Sequence, residues 1–378
     1  MRSGVFVNNL QGEALYKSFK PSQLPPNPSL EMDDEFITKL VNANKALSSL
    51  NTASELLPNV DIFLSKYLIK EALISSQIEG TQCTLVDVFD ADISNNVNLD
   101  VADVINYVNA CNYSIERLKT LPLCCRLLKE IHEKLMAGVR GEDKNPGEFR
   151  RSQNWIGPAN CSLKEARYIP PNVDDMIESM SSLEKYINES EDYDPLIQAA
   201  LIHYQFETIH PFLDGNGRVG RLLILLYLME KGLLNKPTIY ISYFLKKNQI
   251  EYYDRISEVR RTGNYEQWVK FFLDAVAVAA QDSERTIRLL NNLHINNLNN
   301  LPVSNRAKDN VRLVFNYIEN HPIIDIKKTA SELGISFNTA STAIRKLVEL
   351  EILYEQTNAS RNRVYVYKDY LDIIKDGT

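Results

Sequence analysis

The chain has 378 residues, 44% of them hydrophobic, which is enough for a sizeable core and for two or three domains. Its formal net charge of −7 at pH 7 excludes a chain-wide basic surface for nucleic acid, though not a local basic face. Five cysteines (Cys83, Cys111, Cys124, Cys125 and Cys161), odd in number and without a CxxC pair, exclude a disulfide framework and a zinc site from the expectations. No apolar signal core opens the chain and no stretch approaches the roughly 20 apolar residues of a membrane helix, so a soluble, cytoplasmic protein with no membrane partner is expected.

In chain order, residues 1–30 include a Pro-rich run, PSQLPPNPSL, and read as an extended arm. Helical periodicity then dominates, over 34–50, 61–78, 101–118, 124–135, 194–207, 219–231 and a long continuous 268–290. Strand signals before residue 300 are few. The best lies between Phe149 and Tyr168, around a Gly157–Pro158 turn, and reads as a short hairpin. Residues 291–305 are Asn-rich and close around Pro302, a pattern read as a linker. Beyond it come helices over 308–319, 326–333 and 338–350, with a turn at Gly334, and two β runs over 353–357 and 363–367. The expected class is mainly α, in four parts: 1–100, a core of 101–290, a linker of 291–305 and a unit of 306–378.

The chemistry concentrates in His210–Arg221, HPFLDGNGRVGR. The apolar helix before it ends near His210, because Pro211 cannot continue a helix interior. A very apolar helix starts near Val219, and Asp214-Gly-Asn-Gly217 forms the loop between them. A glycine-rich loop feeding a helix N-terminus is an anion site, because unpaired N–H groups and the helix dipole both favour negative charge. Arg218 and Arg221, three apart, share a face of the first turn and suit a polyphosphate. Asp214 is a hard oxygen ligand for Mg²⁺, and His210 is placed to accept a proton from a hydroxyl. A lone DGNG is usually a turn and a lone His-Pro a helix stop; their coincidence ahead of so apolar a helix favours a site.

The run resembles the signature of the Fic family of protein adenylyltransferases, HPFx(D/E)GNGRxxR, at every defined position. The resemblance implies a helical Fic core that binds ATP with Mg²⁺ and transfers AMP to a Ser, Thr or Tyr hydroxyl of a protein, releasing pyrophosphate. It implies His210 as general base and Asp214 as Mg²⁺ ligand. Gly215, Asn216 and Gly217 form the anion hole, Arg218 serves the phosphates and Arg221 reaches the γ-phosphate. Val219 and Gly220 complete the nucleotide-binding run.

Upstream, SSQIEGT ends the helix over 61–78, with Gly80 as a C-cap. Ser75-xxx-Glu79-Gly80 is similar to the Fic inhibitory motif (S/T)xxxE(G/N), which implies that Glu79 pairs with Arg221 and blocks the γ-phosphate. Glu79 is therefore counted with the nucleotide-binding residues. The family also implies a target-docking flap at the expected hairpin, with Ile156, Tyr168 and Ile169 as flap residues working by strand addition. It implies an aromatic near adenine, assigned to Tyr252.

The C-terminal unit resembles a winged helix, a helix-turn-helix with a small β-hairpin. Its exposed candidates are Asn338, Thr339, Thr342, Arg345 and Lys346, with Arg361 and Arg363 on the wing. From residue 301 there are 11 Lys+Arg and 10 Asp+Glu, a weak footprint for phosphate, so DNA and protein partners both stay open, as does a homodimer. The alternatives to AMP transfer are a winged-helix DNA-binding regulator whose Fic core only senses nucleotide, and transfer of another phosphate-containing group.

Overall fold

The computed structural model describes residues 2–55, 60–94, 98–158, 161–301, 306–356 and 363–376. Arg361 and the end of the expected linker, 302–305, lie outside them. The chain opens with an antiparallel hairpin, β1 (Gly4–Asn9) and β2 (Tyr16–Pro21), in register from Gly4↔Pro21 to Asn9↔Tyr16. The helices follow: α1 (Asp34–Glu55), α2 (Val60–Ile78), α3 (Leu85–Ser94), α4 (Leu99–Leu118), α5 (Cys125–Leu135), α6 (Val173–Glu189), α7 (Pro195–Ile209), α8 (Asn216–Glu230), α9 (Ser242–Lys247), α10 (Gln249–Thr262) and α11 (Tyr265–Asn300). The C-terminal unit runs α12 (Arg306–Asn320), β3 (Ile323–Asp325), α13 (Ile326–Glu332), α14 (Phe337–Glu349), β4 (Tyr354–Glu355), β5 (Val364–Val366) and α15 (Lys368–Lys375). Its sheet is antiparallel in the order β3-β5-β4.

The core is wrapped around α7. Every residue from Leu196 to Ile209 is buried, because α6, α8 and α11 cover it from different sides. A helix that is apolar all round cannot sit on a surface. Its start follows local rules: Asp194 accepts from the Leu196 N–H at 2.8 Å, and Pro195 occupies the first turn, where its missing N–H costs nothing. α8 lies against α7 and is nearly as enclosed, while α1 packs along α11, and α4 packs on α2 and α5.

The C-terminal unit closes on α2. Lys70 of α2, almost fully buried, donates to the Asp376 carbonyl at 2.6 Å and faces Asp282 of α11 at 3.8 Å. Arg285 of α11 pairs with the Asp376 carboxylate at 2.6 Å. Among the described residues no helix is long and apolar enough to cross a membrane.

Four expectations are corrected. The N-terminal arm is the β1–β2 hairpin. Its alternation is hidden because Val5 and Phe6 are both exposed while Ser18 is buried. Residues 291–300, read as linker, continue α11 to Asn300. Asparagine is a poor helix former, but tertiary contacts outweigh that: Asn297 Nδ2 donates to the Tyr367 hydroxyl at 2.6 Å, and His294 meets Glu319 at 2.6 Å. The expected hairpin between Phe149 and Tyr168 is a single β-bridge, Ile156↔Tyr168, with a 3₁₀ turn at Leu163–Glu165. Finally, α8 starts at Asn216, so Asn216 and Gly217 belong to its first turn and not to the loop.

Candidate active site

The site forms where α7 stops and α8 starts. His210 ends α7 in the left-handed region, φ +51, and its N–H donates to the Phe206 carbonyl at 3.0 Å. Gly215 turns the chain with φ +74, and the Val219 N–H donating to the Gly215 carbonyl at 3.1 Å is the first bond of α8. The amides of residues 216–218 thus lack intrahelical partners and point out of the helix end. The Asn216 side chain serves the loop: its Oδ1 accepts from the Phe212 N–H at 2.9 Å and its Nδ2 donates to the Phe212 carbonyl at 2.8 Å. Only the main chain of Asn216 is then left for an anion.

The two arginines are held, not free. Arg218 Nη1 donates to Asp103 of α4 at 3.1 Å and Nη2 to Met136 Sδ at 3.4 Å; its buried Nε has no partner. Arg221, with 1% of its side chain exposed, donates from Nε to Ser75 Oγ at 2.8 Å and from Nη2 to the Ser75 carbonyl at 2.9 Å and Glu79 Oε1 at 2.7 Å. Burial works to lower its pKa, and Glu79 beside it, together with Tyr252 and Glu207, outweighs burial and raises it. Glu79 is 38% exposed and follows the last residue of α2, where Gly80 turns away with φ +101. A Cβ on Gly217 would fall 2.2 Å from Glu79 Oε1 and 2.9 Å from Arg221 Nη1. The Glu79 carboxylate therefore rests on the first turn of α8, where an anion would sit, and only glycine leaves it room.

Asp214 is exposed at the crest of the loop, its Oδ1 accepting from its neighbour Gly215 at 2.6 Å. His132 of α5 fixes that crest. It stacks on Phe212 with centroids 3.9 Å apart, accepts the Gly147 N–H at Nδ1 (2.9 Å), and so carries its proton at Nε2, which donates to the Asp214 carbonyl at 3.1 Å. Among the described residues no group of three or more His, Cys, Asp or Glu gathers around a cation site. One accessible carboxylate oxygen fits Mg²⁺, which keeps most of its waters and takes its other ligands from phosphates.

The His210 ring is held neutral: burial first, then Arg260 and Arg150, draw its pKa down to about 4, against the Glu207 backbone and Glu79. Glu207, three residues earlier, is buried with an unpartnered Oε1 and is pushed up to about 7 by burial. Ile156 and Tyr168 exchange both main-chain hydrogen bonds, at 2.9 and 3.1 Å, and Ile156 is 37% exposed. Tyr168 donates its hydroxyl to the Thr208 carbonyl at 2.6 Å, under Arg260 at 3.6 Å from its ring centre. The Ile169 carbonyl accepts from Phe19 of β2 at 2.9 Å.

Tyr252 is corrected as a ligand-facing ring. It is enclosed, and its hydroxyl donates to His203 Nε2 at 2.9 Å, while His203 Nδ1 donates to the Gly220 carbonyl at 3.0 Å. Its neighbour Tyr253 is the exposed ring, at 46%. Sequence reasoning missed His132, Asp103, Arg150, Asn154, Glu207 and Arg260. Most of their partners are main-chain carbonyls far away in sequence, which no local pattern announces.

Compared with known proteins, residues 122–228 match the Fic/DOC family and residues 37–116 the Fic/DOC family N-terminal region. The chain is 28% identical over 298 residues to the protein adenylyltransferase Fic of Aedes aegypti and 29% identical over 298 residues to that of Culex quinquefasciatus. Each match takes in 75% of this chain and 52% of the relative, so the chain spans about half the length of these curated relatives. Among solved structures, a Fic family protein from Desulfovibrio desulfuricans G20 aligns with a TM-score of 0.59 at 19% identity, covering 89% of this chain and 97% of that one. A Fic domain containing signaling protein from Bacteroides thetaiotaomicron aligns with a TM-score of 0.54 at 18% identity, covering 66% and 97%. These two likenesses concern the fold.

Proposed function

The chain belongs to the Fic/DOC family, and from that premise we propose that it transfers AMP from ATP to hydroxyl side chains of a protein, and that it rests in an inhibited state. The relatives named protein adenylyltransferase support the reaction class. In the reaction, the target oxygen attacks the α-phosphorus, the bond from that phosphorus to the β-bridging oxygen breaks, and pyrophosphate leaves. His210 takes the hydroxyl proton on its neutral imidazole; its low pKa favours the unprotonated form. The amides of the first turn of α8 take phosphate oxygens, with the Nε of Arg218 and the guanidinium of Arg221 beside them. Asp214 would hold Mg²⁺, which neutralises phosphate charge when bound. Ile156, Tyr168 and Ile169 are read as the flap that docks the target by strand addition. The exposed Tyr253 replaces Tyr252 as the ring beside adenine.

One observation carries the inhibited state: the Glu79 carboxylate lies 2.7 Å from Arg221 Nη2, against Gly217 on the helix end meant for phosphate. A γ-phosphate and Glu79 would compete for the same guanidinium. The experiment is intact mass after incubating wild type, Glu79→Gly and Glu79→Gly/His210→Ala with ATP and Mg²⁺. An AMP-sized increment is expected in the single variant, well above wild type, and none in the double. An increment that persists without His210 overturns its role as base. Binding of ATP without any increment in Glu79→Gly favours the nucleotide-sensing regulator. For that second reading, three helices with β3 between the first two and β4 and β5 after the third, joined as a β3-β5-β4 sheet, support a winged helix in the C-terminal unit, with Asn338, Thr342 and Arg345 exposed on α14.

A further inference from the structure

His210 sits on main chain that an L-residue rarely adopts, φ +51, so something must hold it there. Arg150, in the segment after α5, is only 2% exposed. Its Nε donates to the His210 carbonyl at 3.0 Å, and its own N–H donates to the Pro211 carbonyl at 2.9 Å. The rest of the guanidinium reaches in the other direction, from Nη1 to the Ser152 carbonyl at 3.2 Å and from Nη2 to the Pro171 carbonyl. Ser152 and Pro171 are the two roots of the flap. Burying a charge without a counter-charge is costly, and among the described residues no carboxylate pairs with Arg150. Three carbonyls from three chain segments, those of His210, Ser152 and Pro171, are its compensation. Asn154 adds a second anchor, its Nδ2 donating to the Phe212 carbonyl at 2.9 Å and the His210 carbonyl at 3.4 Å.

We propose that Arg150 is a positioning residue for the transfer: it ties the main chain of His210 to both roots of the flap, so that a docked hydroxyl and the base that receives its proton share one frame. This rests on the reading of His210 as base. The anion cradle on α8 makes no bond to Arg150, so nucleotide binding and transfer should separate. The charged groups acting on His210 are Arg150, Arg260 of α10 and Glu79 beyond α2, and Glu207 of α7, itself titratable, acts on it through its main chain. Of these, the two arginines favour the neutral ring.

The test uses the full chain carrying Glu79→Gly, with three further variants. Arg150→Lys keeps the charge and loses the fork, Arg150→Met loses both, and Asn154→Ala removes the second anchor without touching the buried cation. Three quantities are measured: affinity for α,β-methylene-ATP with Mg²⁺ by calorimetry, single-turnover AMP transfer by intact mass, and the His210 imidazole titration by NMR, assigned with His210→Asn. Arg150→Lys and Asn154→Ala should bind the nucleotide within about threefold of the parent while transfer falls on the order of 10²-fold, the loss expected for a base displaced by about 1 Å. Arg150→Met should also raise the His210 midpoint, because one of the groups disfavouring its charged form is gone. Transfer by Arg150→Lys within about threefold of the parent, or nucleotide affinity falling in step with transfer, overturns the proposal. If the Arg150 variants lose their circular dichroism spectrum, Asn154→Ala decides by the same two readouts. If Glu79→Gly itself transfers nothing, the functional reading fails, and an unmoved His210 midpoint in Arg150→Met then overturns the role of Arg150 separately.

Discussion

At the scale of single residues, Arg221 is defined by what surrounds it. It is buried, so each of its donors needs an acceptor, and Ser75 supplies two, from its hydroxyl and its carbonyl. Ser75→Ala keeps the carbonyl and strands Nε, and a buried donor left unmade costs about 1–3 kcal/mol. The urea midpoint should drop accordingly. Adding Glu79→Gly should deepen the loss, because Arg221 would then keep the Ser75 carbonyl alone of these three acceptors. Equal midpoints for wild type and Ser75→Ala would show that Nε finds another acceptor. The signature was legible in the sequence because His210, the loop, the start of α8 and both arginines are contiguous. Glu79 was legible only through its resemblance to an inhibitory motif, since its partner lies 142 residues away. Arg150, Asn154 and His132 were not legible, because they act on main-chain carbonyls, which carry no residue identity. Tyr252 was misread because an aromatic near a site looks the same in sequence whether it faces the ligand or the core.

At the scale of elements, the central helices could be read from apolar residues at helical spacing in α7 and from the very apolar run of α8, and helices at both places bear that reading out. The ends of elements were less legible. The last turns of α11 are polar and Asn-rich, and partners 25 and 70 residues away, Glu319 and Tyr367, explain their helicity. Asn297→Ala tests which effect wins. Alanine gains about 0.5 kcal/mol of helix propensity, but it leaves the buried Tyr367 hydroxyl without that bond, a loss of about 1–3 kcal/mol. Net destabilisation of about 1 kcal/mol is therefore expected, seen as a lower Tm. A raised Tm would mean that the end of α11 is held by propensity and not by the C-terminal unit. The β1–β2 hairpin was missed for the converse reason: its pairing is set by the main chain, and Val5 and Phe6 are exposed in succession while Ser18 and Phe19 are buried in succession, so no alternation marks it.

At the scale of the whole molecule, buried titratable groups set the response to acid. Burial draws His132 and His210 to about 4 and His203 to about 3. Between pH 6.5 and 4 the unfolded chain binds protons there that the folded one refuses, so stability falls as pH falls. Glu71 and Glu207, pushed up to about 7 by burial, have the opposite sign between pH 7 and 4.5, where the folded chain holds the extra protons. Below pH 4.5 that offset is exhausted. Glu130, held at about 2 by Arg117 first, then adds its own loss. Urea midpoints should change gently from pH 7 to 4.5 and steeply below it. A steep loss already between pH 6.5 and 5 would mean that the two glutamates do not hold their protons.

The helix that ends beside Glu79 is held along its length: by Asp376 and Asp282 at Lys70, by Ser242 at Glu71, by Lys246 at Gln77, and by Arg221 at Ser75 and Glu79. Asp376 and Arg221 thus meet on one element, so an affinity tag or a domain fused after Asp376 attaches to the same helix that carries Glu79 to the end of α8.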